Sequence, residues 1–259
     1  MKRILITGGK GYIGSNLVDY LKEKDCECVV VDKKDGNWVL NINDVWRYNF
    51  VVHLAAVSGI PDCTADPEEA LTTNVTSTLH IMQQARKYER PLVFASSGAA
   101  PTPYESLYSM TKWQGEVEAR RLNKEGGKNH VLRFSNVYGG KYWEEKPSVI
   151  PVFQKAKAQG KELIINGTGE QKRDFIHVED ICSAIWKALN TQRIIGLPIP
   201  ICTGETTSIL EIAKMMDCKF TFCKNSDIIG VPDVITNTQL GKDILDFETE
   251  RNLSDYFVG

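Results

Sequence analysis

The chain has 259 residues, of which 42% are hydrophobic, enough to form one large α/β domain or a larger and a smaller lobe with a shared core. Its 31 lysines and arginines nearly balance its 33 aspartates and glutamates, so the net charge of −2 gives no electrostatic reason to expect nucleic acid or an anionic membrane as a partner. The longest apolar runs, such as Phe50–Val57, fall far short of a bilayer span, which predicts a soluble, cytoplasmic protein without a secretory signal.

The first predicted element is a strand at Lys2–Thr7, which runs into Gly8 and Gly9 and then into an amphipathic helix at Tyr12–Lys24. Four more apolar, β-branched runs follow, and helical patterns fill most of the gaps between them. These predicted strands are Cys28–Val31, Phe50–Leu54, Pro91–Ala95 and His130–Phe134. Alternation of this kind predicts an α/β fold with a doubly wound parallel sheet that is covered by helices on both faces.

Two parts of the chain depart from this alternation. Between Asp32 and Phe50 only Asn43–Tyr48 has helical character, which predicts a single turn and a loop in place of a crossover helix. After Phe134, loops rich in glycine, proline and lysine separate short elements. These are predicted helices at Val149–Gln159 and Val178–Asn190 and predicted strands at Leu163–Ile165 and Pro200–Cys202. The change predicts a first domain over residues 1–135 and a smaller α/β substrate lobe over residues 136–259, interleaved with the first.

The cysteines and histidines show no metal-binding pattern. The seven cysteines are scattered and lack the paired spacing of structural zinc sites, so we interpret them as reduced thiols. The four histidines lack the spacing of an HExxH helix. No bound metal is therefore expected.

A glycine pattern lies between the first strand and the first helix. Gly8, Gly11 and Gly14 belong to the segment TGGKGYIGSNL. Glycines at these points allow a sharp turn, a close approach of the backbone to a pyrophosphate and tight packing of helix on strand, while the helix N-terminus offers free N–H groups. A plain glycine-rich turn in an ordinary βα unit is the alternative. The setting of the pattern predicts a dinucleotide site.

An acidic residue closes the second predicted strand. Asp32 follows Gly14 by eighteen residues, at a place where a carboxylate can accept hydrogen bonds from both ribose hydroxyls and repel a 2′-phosphate. Lys33 and Lys34 follow directly, and a lysine at this place can tolerate that phosphate. NAD is therefore the predicted cofactor, and NADP is the alternative.

A tyrosine and a lysine four residues apart form a candidate acid–base pair. Tyr108 and Lys112 lie in the helical segment LYSMTKWQGEVEARR, so both side chains occupy one face of a helix. The lysine charge favours a phenolate, which can take a proton from an alcohol or, once protonated, return it to a ketone. A solvated helix face is the alternative for this spacing taken alone. Of the two serines that end the fourth strand, Ser97 rather than Ser96 is predicted to bond the reacting oxygen.

These segments together resemble the extended short-chain dehydrogenase/reductase family, and within it the NAD-dependent nucleotide-sugar epimerase/dehydratase group. The resemblance is carried by TGGKGYIGSNL, Asp32, HLAA at His53–Ala56, TTNVTSTL around Asn74, FASSG with Ser97, Tyr108 with Lys112, LRFSNVYG at Leu132–Gly139 and GTGEQKRDFIHVEDI from Gly167 to Ile181. It implies a Rossmann-type sheet with a smaller C-terminal substrate lobe. With the residues above, it implies a cofactor-binding set of Gly8, Gly11, Tyr12, Ile13, Gly14, Asp32, Lys33, Asn41, Ile42, Leu54, Ala55, Ala56, Asn74, Tyr108, Lys112, Phe134 and Val137.

The same resemblance implies a nucleotide-diphosphate sugar as substrate. The substrate-binding residues that it implies are Ser97, Asn136 and Arg173, with Phe153 and Ile165 beside the base. Asn136 and Arg173 match residues that contact the substrate's phosphates, and a guanidinium fork suits a diphosphate. A salt bridge from Arg173 to Asp174 or Glu179 is the alternative for that side chain.

Three departures from the family pattern narrow the activity. Gly98 and Ala99 follow Ser97, where the dehydratase branch carries an Asp-Glu pair for the loss of water. Only eleven positions separate Ser97 from Tyr108, which implies a trimmed lid over the sugar pocket. The segment Val231–Asp233 lacks an arginine that holds a phosphate in many relatives. Dehydration is therefore not expected.

The predicted activity is epimerisation of a nucleotide sugar, at C4, through a transient 4-keto sugar. Tyr108 is the predicted base, Lys112 tunes it, and Ser97 bonds the C4 oxygen. A 4-ketoreductase that uses NAD(P)H with the same residues and a non-catalytic cofactor-binding scaffold remain as alternatives. Members of the group pair through two long helices, here Pro67–Tyr88 and Ser106–Asn123, so a homodimer is expected.

Overall fold

A computed structural model describes residues 1–142, 148–223 and 237–257. Its strands are β1 (Lys2–Thr7), β2 (Cys26–Val31), β3 (Phe50–His53), β4 (Leu92–Ser97), β5 (Asn129–Phe134), β6 (Asn136–Tyr138), β7 (Leu163–Asn166), β8 (Lys172–Arg173), β9 (Phe175–His177), β10 (Ile199–Ile201), β11 (Thr207–Ser208) and β12 (Phe220–Cys223). Its α-helices are α1 (Tyr12–Lys22), α2 (Ile60–Ala65), α3 (Pro67–Leu71), α4 (Ser77–Lys87), α5 (Leu107–Lys124), α6 (Val149–Ala158), α7 (Val178–Asn190), α8 (Ile209–Met215), α9 (Gln239–Leu245) and α10 (Leu253–Tyr256).

Six of the strands form a parallel sheet in the order β10-β5-β4-β3-β1-β2. The five strands predicted for this sheet are confirmed, with bounds that shift by at most two residues. Because the chain continues from β2 to the other side of β1, the strand order reverses between β1 and β3. Crevices for ligands form at the carboxyl ends of strands at such a point.

Helices cover both faces of the sheet, because successive side chains of a strand point to opposite faces. In β1, Ile4 and Ile6 belong to the core under α1, α7 and α9, whereas Leu5 belongs to the core under α4 and α5. All three side chains are fully buried. The doubly wound parallel sheet that the sequence predicted is confirmed.

Residues 32–49, all of which the structure describes, connect β2 to β3 through three single 3₁₀ turns, the last at Val45–Arg47. Val39, Ile42 and Val45 are buried against α4 and β3. Their three-residue spacing matches the three residues per turn of a 3₁₀ helix, so the three side chains lie on one edge of these turns. This apolar edge covers the sheet where a crossover helix would otherwise pack. The sequence predicted one turn and a loop, and the structure adds two further turns.

The long helix predicted at Pro67–Tyr88 contains a π-helical segment at Thr72–Thr76, between α3 and α4. Asn74 lies in this segment and is 2% exposed. Segments of this kind frequently occur at functional sites, because the extra residue in the turn redirects the side chains around it.

A second core follows β5. It packs α6, β7, α8, β9 and α10 around side chains such as Phe153, Ile165 and Ile212. Three two-stranded sheets, β6 with β9, β7 with β12 and β8 with β11, complete this lobe. The sequence grouped α7 and β10 with it, but β10 pairs with β5 and α7 packs on α1. Ile199 and Ile201 are buried in the core of the main sheet, which explains their placement there.

Candidate active site

A cavity of about 600 Å³ opens at the carboxyl ends of the strands, beside the point where the strand order reverses. Most of the residues predicted to bind a cofactor or substrate line it, namely Gly8, Gly11, Tyr12, Ile13, Gly14, Asp32, Lys33, Leu54, Ala55, Ala56, Ser97, Tyr108, Lys112, Phe134, Asn136 and Val137. Six strands, β1–β6, and two helices, α1 and α5, therefore bring the separate sequence motifs to one place.

The glycine turn after β1 leaves no room for side chains. Gly8 has a φ of +71°, and a Cβ atom there would lie 2.6 Å from the backbone nitrogen of Ala55. A Cβ atom at Gly14 would lie 2.2 Å from the carbonyl oxygen of Gly8. Gly11 caps α1 without a side-chain hydrogen bond, so the first N–H groups of the helix face the cavity. This bare backbone surface at a helix N-terminus fits a pyrophosphate.

Asp32 lies at the rim of the cavity, 7% exposed. One carboxylate oxygen accepts the backbone N–H of Lys10 at 2.9 Å, and the other accepts that of Lys34 at 3.0 Å. These bonds fix the carboxylate beside the glycine turn and leave further lone pairs for ribose hydroxyls. The arrangement fits the adenosine end of a dinucleotide.

Both lysines after Asp32 have partners within the protein. The Nζ atom of Lys33 forms an ion pair with Glu69 at 2.9 Å, and that of Lys34 donates to the backbone carbonyl of Lys10 at 3.1 Å. A 2′-phosphate would have to compete with these contacts, whereas a 2′-hydroxyl would not. The geometry favours NAD over NADP.

A buried histidine supports the floor of the cavity. His53 is 1% exposed, and its ring nitrogens lie 2.6 Å from the Thr7 hydroxyl and 2.9 Å from the Thr78 hydroxyl. Burial lowers the pKa of this imidazole to about 3, so the ring is neutral. The Thr7 hydroxyl also accepts the backbone N–H of Ala55 at 3.4 Å, so the network fixes the loop that faces the glycine turn.

Asn74, a predicted cofactor residue, lies behind the cavity wall. Its side chain accepts the N–H of Val57 at 2.8 Å and donates to the carbonyl of Val57 at 3.0 Å. It also donates to the Thr111 hydroxyl at 3.1 Å. The amide thus ties the loop after β3 to α5.

The Tyr/Lys pair lies at the start of α5, which Ser106 caps by accepting the N–H of Ser109 at 3.1 Å. The Nζ atom of Lys112 donates to the carbonyl of Ala95 at 2.9 Å and lies 5.9 Å from the centre of the Tyr108 ring. Lys112 is 5% exposed, and burial lowers the pKa of its ammonium to about 8. A phenol and a desolvated ammonium therefore share one wall of the cavity.

The two serines at the end of β4 have different surroundings. The Ser96 hydroxyl is 4% exposed and donates to the Glu116 carboxylate at 2.6 Å. Ser97 is less buried, and its hydroxyl accepts the N–H of Ala99 at 3.2 Å. The Ser97 hydroxyl, which accepts this bond and lines the cavity, therefore keeps its proton for a ligand.

Besides Asn74, five predicted binding residues do not line the cavity. Phe153 and Ile165 are 3% and 0% exposed and belong to the second core. In β7 the neighbouring Ile164 points outward instead. Ile42 is buried under α4, where its carbonyl accepts from His80, and Asn41 beside it is exposed to solvent. For these four side chains, the structure corrects the prediction of a direct contact with a ligand.

Arg173 also lies away from the cavity, on β8. Its guanidinium donates to the backbone carbonyl of Lys172 at 2.8 Å. The two carboxylates named as alternative partners bond elsewhere: Asp174 accepts from Ser135 and the chain at 203–204, and Glu179 pairs with Arg251. The salt-bridge alternative is therefore wrong. The remaining prediction about a phosphate ligand concerned Val231–Asp233, which lies outside the described residues.

Several residues of the lining were not predicted from the sequence. They are Val31, Lys34, Asn37, Trp38, Val39, Ser58, Gly59, Asp62, Thr73, Ser77, Ala95, Ser96, Ser135 and Ser148. Trp38 is 41% exposed, and an aromatic residue six positions after the acidic end of β2 is a signal that could have been used. The small and polar residues of the set have no distinguishing pattern.

Within residues 1–142, 148–223 and 237–257, no helix is long and apolar enough to cross a membrane. In the same ranges, no three histidine, cysteine, aspartate or glutamate side chains cluster in a way that could hold a metal ion.

Comparison with known proteins places the chain among related sequences. The profile of the NAD dependent epimerase/dehydratase family matches residues 4–197. The chain is 31% identical to a putative UDP-glucose 4-epimerase of Methanocaldococcus jannaschii, over 85% of this chain and 83% of that protein. It is 29% identical to a UDP-N-acetyl-α-D-glucosaminuronate decarboxylase of Bacillus cytotoxicus, over 89% and 84%. The solved UDP-glucose 4-epimerase of Thermotoga maritima with UDP-glucose has a TM-score of 0.86 at 26% identity, over 98% of this chain and 95% of that one.

Proposed function

Because the chain belongs to the NAD-dependent epimerase/dehydratase family, and so is an enzyme, we propose that it interconverts the C4 epimers of a nucleotide-diphosphate hexose. One observation carries the proposal: Ser97, Tyr108 and Lys112 line the same cavity as the glycine turn, so an acid–base pair faces the dinucleotide site. UDP-hexoses are the proposed substrates, since two similar proteins are named as UDP-glucose 4-epimerases.

The cavity fits a dinucleotide along its length. The backbone at Gly8 and Gly11 and the N-terminus of α1 would hold the pyrophosphate, and Asp32 would hold the adenosine ribose. Phe134 and Val137, at the other end, would border the nicotinamide. When bound, NAD supplies a group that accepts a hydride from the sugar and gives it back.

The protein's own residues handle the proton. As a phenolate, Tyr108 accepts the proton of the C4 hydroxyl and later returns it to the C4 oxygen, so the two steps balance. The Lys112 ammonium, 5.9 Å from the centre of the Tyr108 ring, stabilises the phenolate. The Ser97 hydroxyl donates a hydrogen bond to the same oxygen, which carries more negative charge as the ketone forms.

The residues after Ser97 argue against elimination of water. Gly98 and Ala99 lack side chains that could donate or accept a proton. Loss of water from a 4-keto sugar needs an acid and a base beside the neighbouring carbons. The cavity therefore supports reversible oxidation at C4 better than dehydration.

The test is conversion of UDP-glucose to UDP-galactose, followed by proton NMR, with enzyme that has been desalted and analysed by native mass spectrometry. Retained NAD and conversion without added reductant are expected. Tyr104→Phe is a matched control for Tyr108→Phe, because Tyr104 is 81% exposed and outside the cavity lining. Consumption of NADPH on a 4-keto sugar would support the ketoreductase instead, and release of carbon dioxide from a UDP-uronic acid would support a decarboxylase.

The enzyme is also proposed to be a homodimer. Leu71 on α3 and Trp113 and Val117 on α5 are 41%, 43% and 48% exposed, which supports an apolar contact between these helices and a second copy. Light scattering after gel filtration tests this, and a monomer at micromolar concentration would contradict it. None of the seven cysteines, all of which lie in the described ranges, forms a disulfide, which supports a reducing, cytoplasmic location.

A further inference from the structure

A buried cluster lies one helical turn beyond Lys112. Glu116 follows it by four residues on α5, so both side chains lie on one face. Arg133 on β5 bonds both oxygens of the Glu116 carboxylate, with Nε 2.7 Å from one and Nη2 2.6 Å from the other. The Ser96 hydroxyl adds a third bond at 2.6 Å. Glu116 is only 6% exposed, so this carboxylate is held by protein donors in place of water.

The cluster joins the two elements that carry the reacting groups. Ser96 lies between Ala95 and Ser97 on β4. The Ala95 carbonyl accepts a hydrogen bond from the Lys112 ammonium, and Ser97 lines the cavity. The bond from Ser96 to Glu116 therefore fixes the end of β4 to α5 within one residue of both groups. A change in this bond would shift Lys112 and Ser97 relative to each other.

The helix lies unusually close to the strand at this point. A Cβ atom at Gly115 would lie 2.5 Å from the ring of Phe94, so only glycine allows this approach. The Lys112 ammonium lies 5.3 Å from the centre of the same ring. The close contact keeps Lys112 out of water, and its charge then depends on neighbouring groups.

The titratable groups around Lys112 come from several elements. His53 on β3 is neutral, since burial lowers its pKa to about 3, and Cys63 on α2 is a neutral thiol near pH 7, since burial raises its pKa. Tyr108 and Glu116 face Lys112 from α5 itself. Burial lowers the pKa of Lys112, while Cys63 and then Glu116 act in the opposite direction. Because the thiol is uncharged near pH 7, Glu116 supplies the negative charge.

We propose that Glu116 is a positioning residue that keeps the Lys112 ammonium charged and in place beside Tyr108. Its bonds to Ser96 and Arg133 fix the helix on the sheet, and its charge offsets part of the effect of burial on Lys112. The use of Lys112 in catalysis rests on the proposed function. The effect of Glu116 on the charge of Lys112 does not depend on that function. The same carboxylate then sets the upper pH limit of activity.

Titration of Lys112 by NMR tests this directly, in protein labelled with ¹³C at the lysine Cε atoms and measured without substrate. The signal is assigned by its loss in Lys112→Arg. In Glu116→Gln the midpoint of the Lys112 titration is expected to fall by about one pH unit, and the alkaline limb of kcat/KM to move with it. A purely structural role for Glu116 would lower Tm or kcat and leave the midpoint unchanged, and that result would overturn the proposal.

Two further variants sharpen the test. Glu118→Gln is the matched control, because it removes a carboxylate paired with Arg121 on the same helix, away from Lys112, and should leave the midpoint unchanged. Arg133→Gln removes the cation beyond Glu116 and should raise the midpoint, so it carries the test if Glu116→Gln does not fold. A lower midpoint in Arg133→Gln would contradict the proposal. If wild-type protein turns over no UDP-hexose while these shifts appear, the proposed function fails and the role of Glu116 stands.

Discussion

The end of the cavity proposed for the dinucleotide and the end proposed for the sugar are built from different parts of the chain. At the first, the walls are backbone: the turn at Gly8, the bare N-terminus of α1 and the loop at Ala55. At the second, side chains such as Ser97 and Tyr108 come from separate elements. A backbone site needs glycines at fixed spacing and so leaves a pattern in the sequence, whereas a side-chain site depends on how distant elements pack.

If the two ends are independent, a change at the sugar end should remove turnover and spare the dinucleotide. Tyr108→Phe removes the proton acceptor and is expected to lower kcat by about 10³-fold, with NAD affinity nearly unchanged. Steady-state kinetics and calorimetric titration with NAD measure the two quantities. Tyr104→Phe should change neither. A comparable loss of NAD affinity in Tyr108→Phe would show that the ends are coupled.

A change at the dinucleotide end should instead affect folding and NAD together. Gly14→Ala places a Cβ atom 2.2 Å from the carbonyl oxygen of Gly8, and backbone atoms on both sides leave little freedom to move. We expect a loss of about 3 kcal/mol in the free energy of unfolding and at least a tenfold loss in NAD affinity. Gly160→Ala, which strains a positive φ but meets no atom within 4 Å, is the control for backbone strain alone. Equal effects of both substitutions on NAD affinity would contradict the view that the dinucleotide end is built from backbone at Gly14.

Lys112 lies between the two ends, and its burial predicts a pH dependence of stability. Its pKa is lowered to about 8 in the folded protein, so between pH 8 and about 10.5 the unfolded chain holds a proton that the folded protein has lost. The free energy of unfolding therefore rises with pH in this window, by on the order of 2 kcal/mol. Urea unfolding of wild type and Lys112→Met at pH 7, 8, 9 and 10 measures the difference. A constant difference across these pH values would be inconsistent with a desolvated ammonium.

The smallest expected effect concerns the charge of the sugar. Asp62 is an exposed carboxylate in the lining, one residue from Cys63, whose helix packs on α5 near Lys112. Asp62→Asn should therefore improve the affinity for UDP-glucuronic acid relative to UDP-glucose by two- to fivefold, about the size of a screened charge interaction. Asp66→Asn removes a nearby charge outside the lining and keeps the cap of α3, so it should not alter the preference. An unchanged ratio in Asp62→Asn would place the sugar away from α2.

The sequence predicted the sheet well, and it predicted residues for the dinucleotide end that line one cavity, because both follow from local rules. Alternating burial in β1, a glycine turn and an acidic strand end depend on neighbours in sequence. The resemblance to a family gave Phe153 and Ile165 a role beside the base, but it could not show which side of α6 or β7 faces inward. Their side chains are used by the second core, and a shift of one residue, to Ile164, reverses exposure.

The contact between α1 and α7 has a consequence for how the protein is made. The ribosome completes α1 at residue 22, but the helix that covers Leu17 and Leu21 begins only at residue 178. At 5–20 residues per second, roughly eight to thirty seconds pass before the partner of the apolar face of α1 is synthesised. During that interval the nascent chain exposes an apolar surface to which chaperones can bind. A fragment that ends at residue 135 would expose that surface permanently.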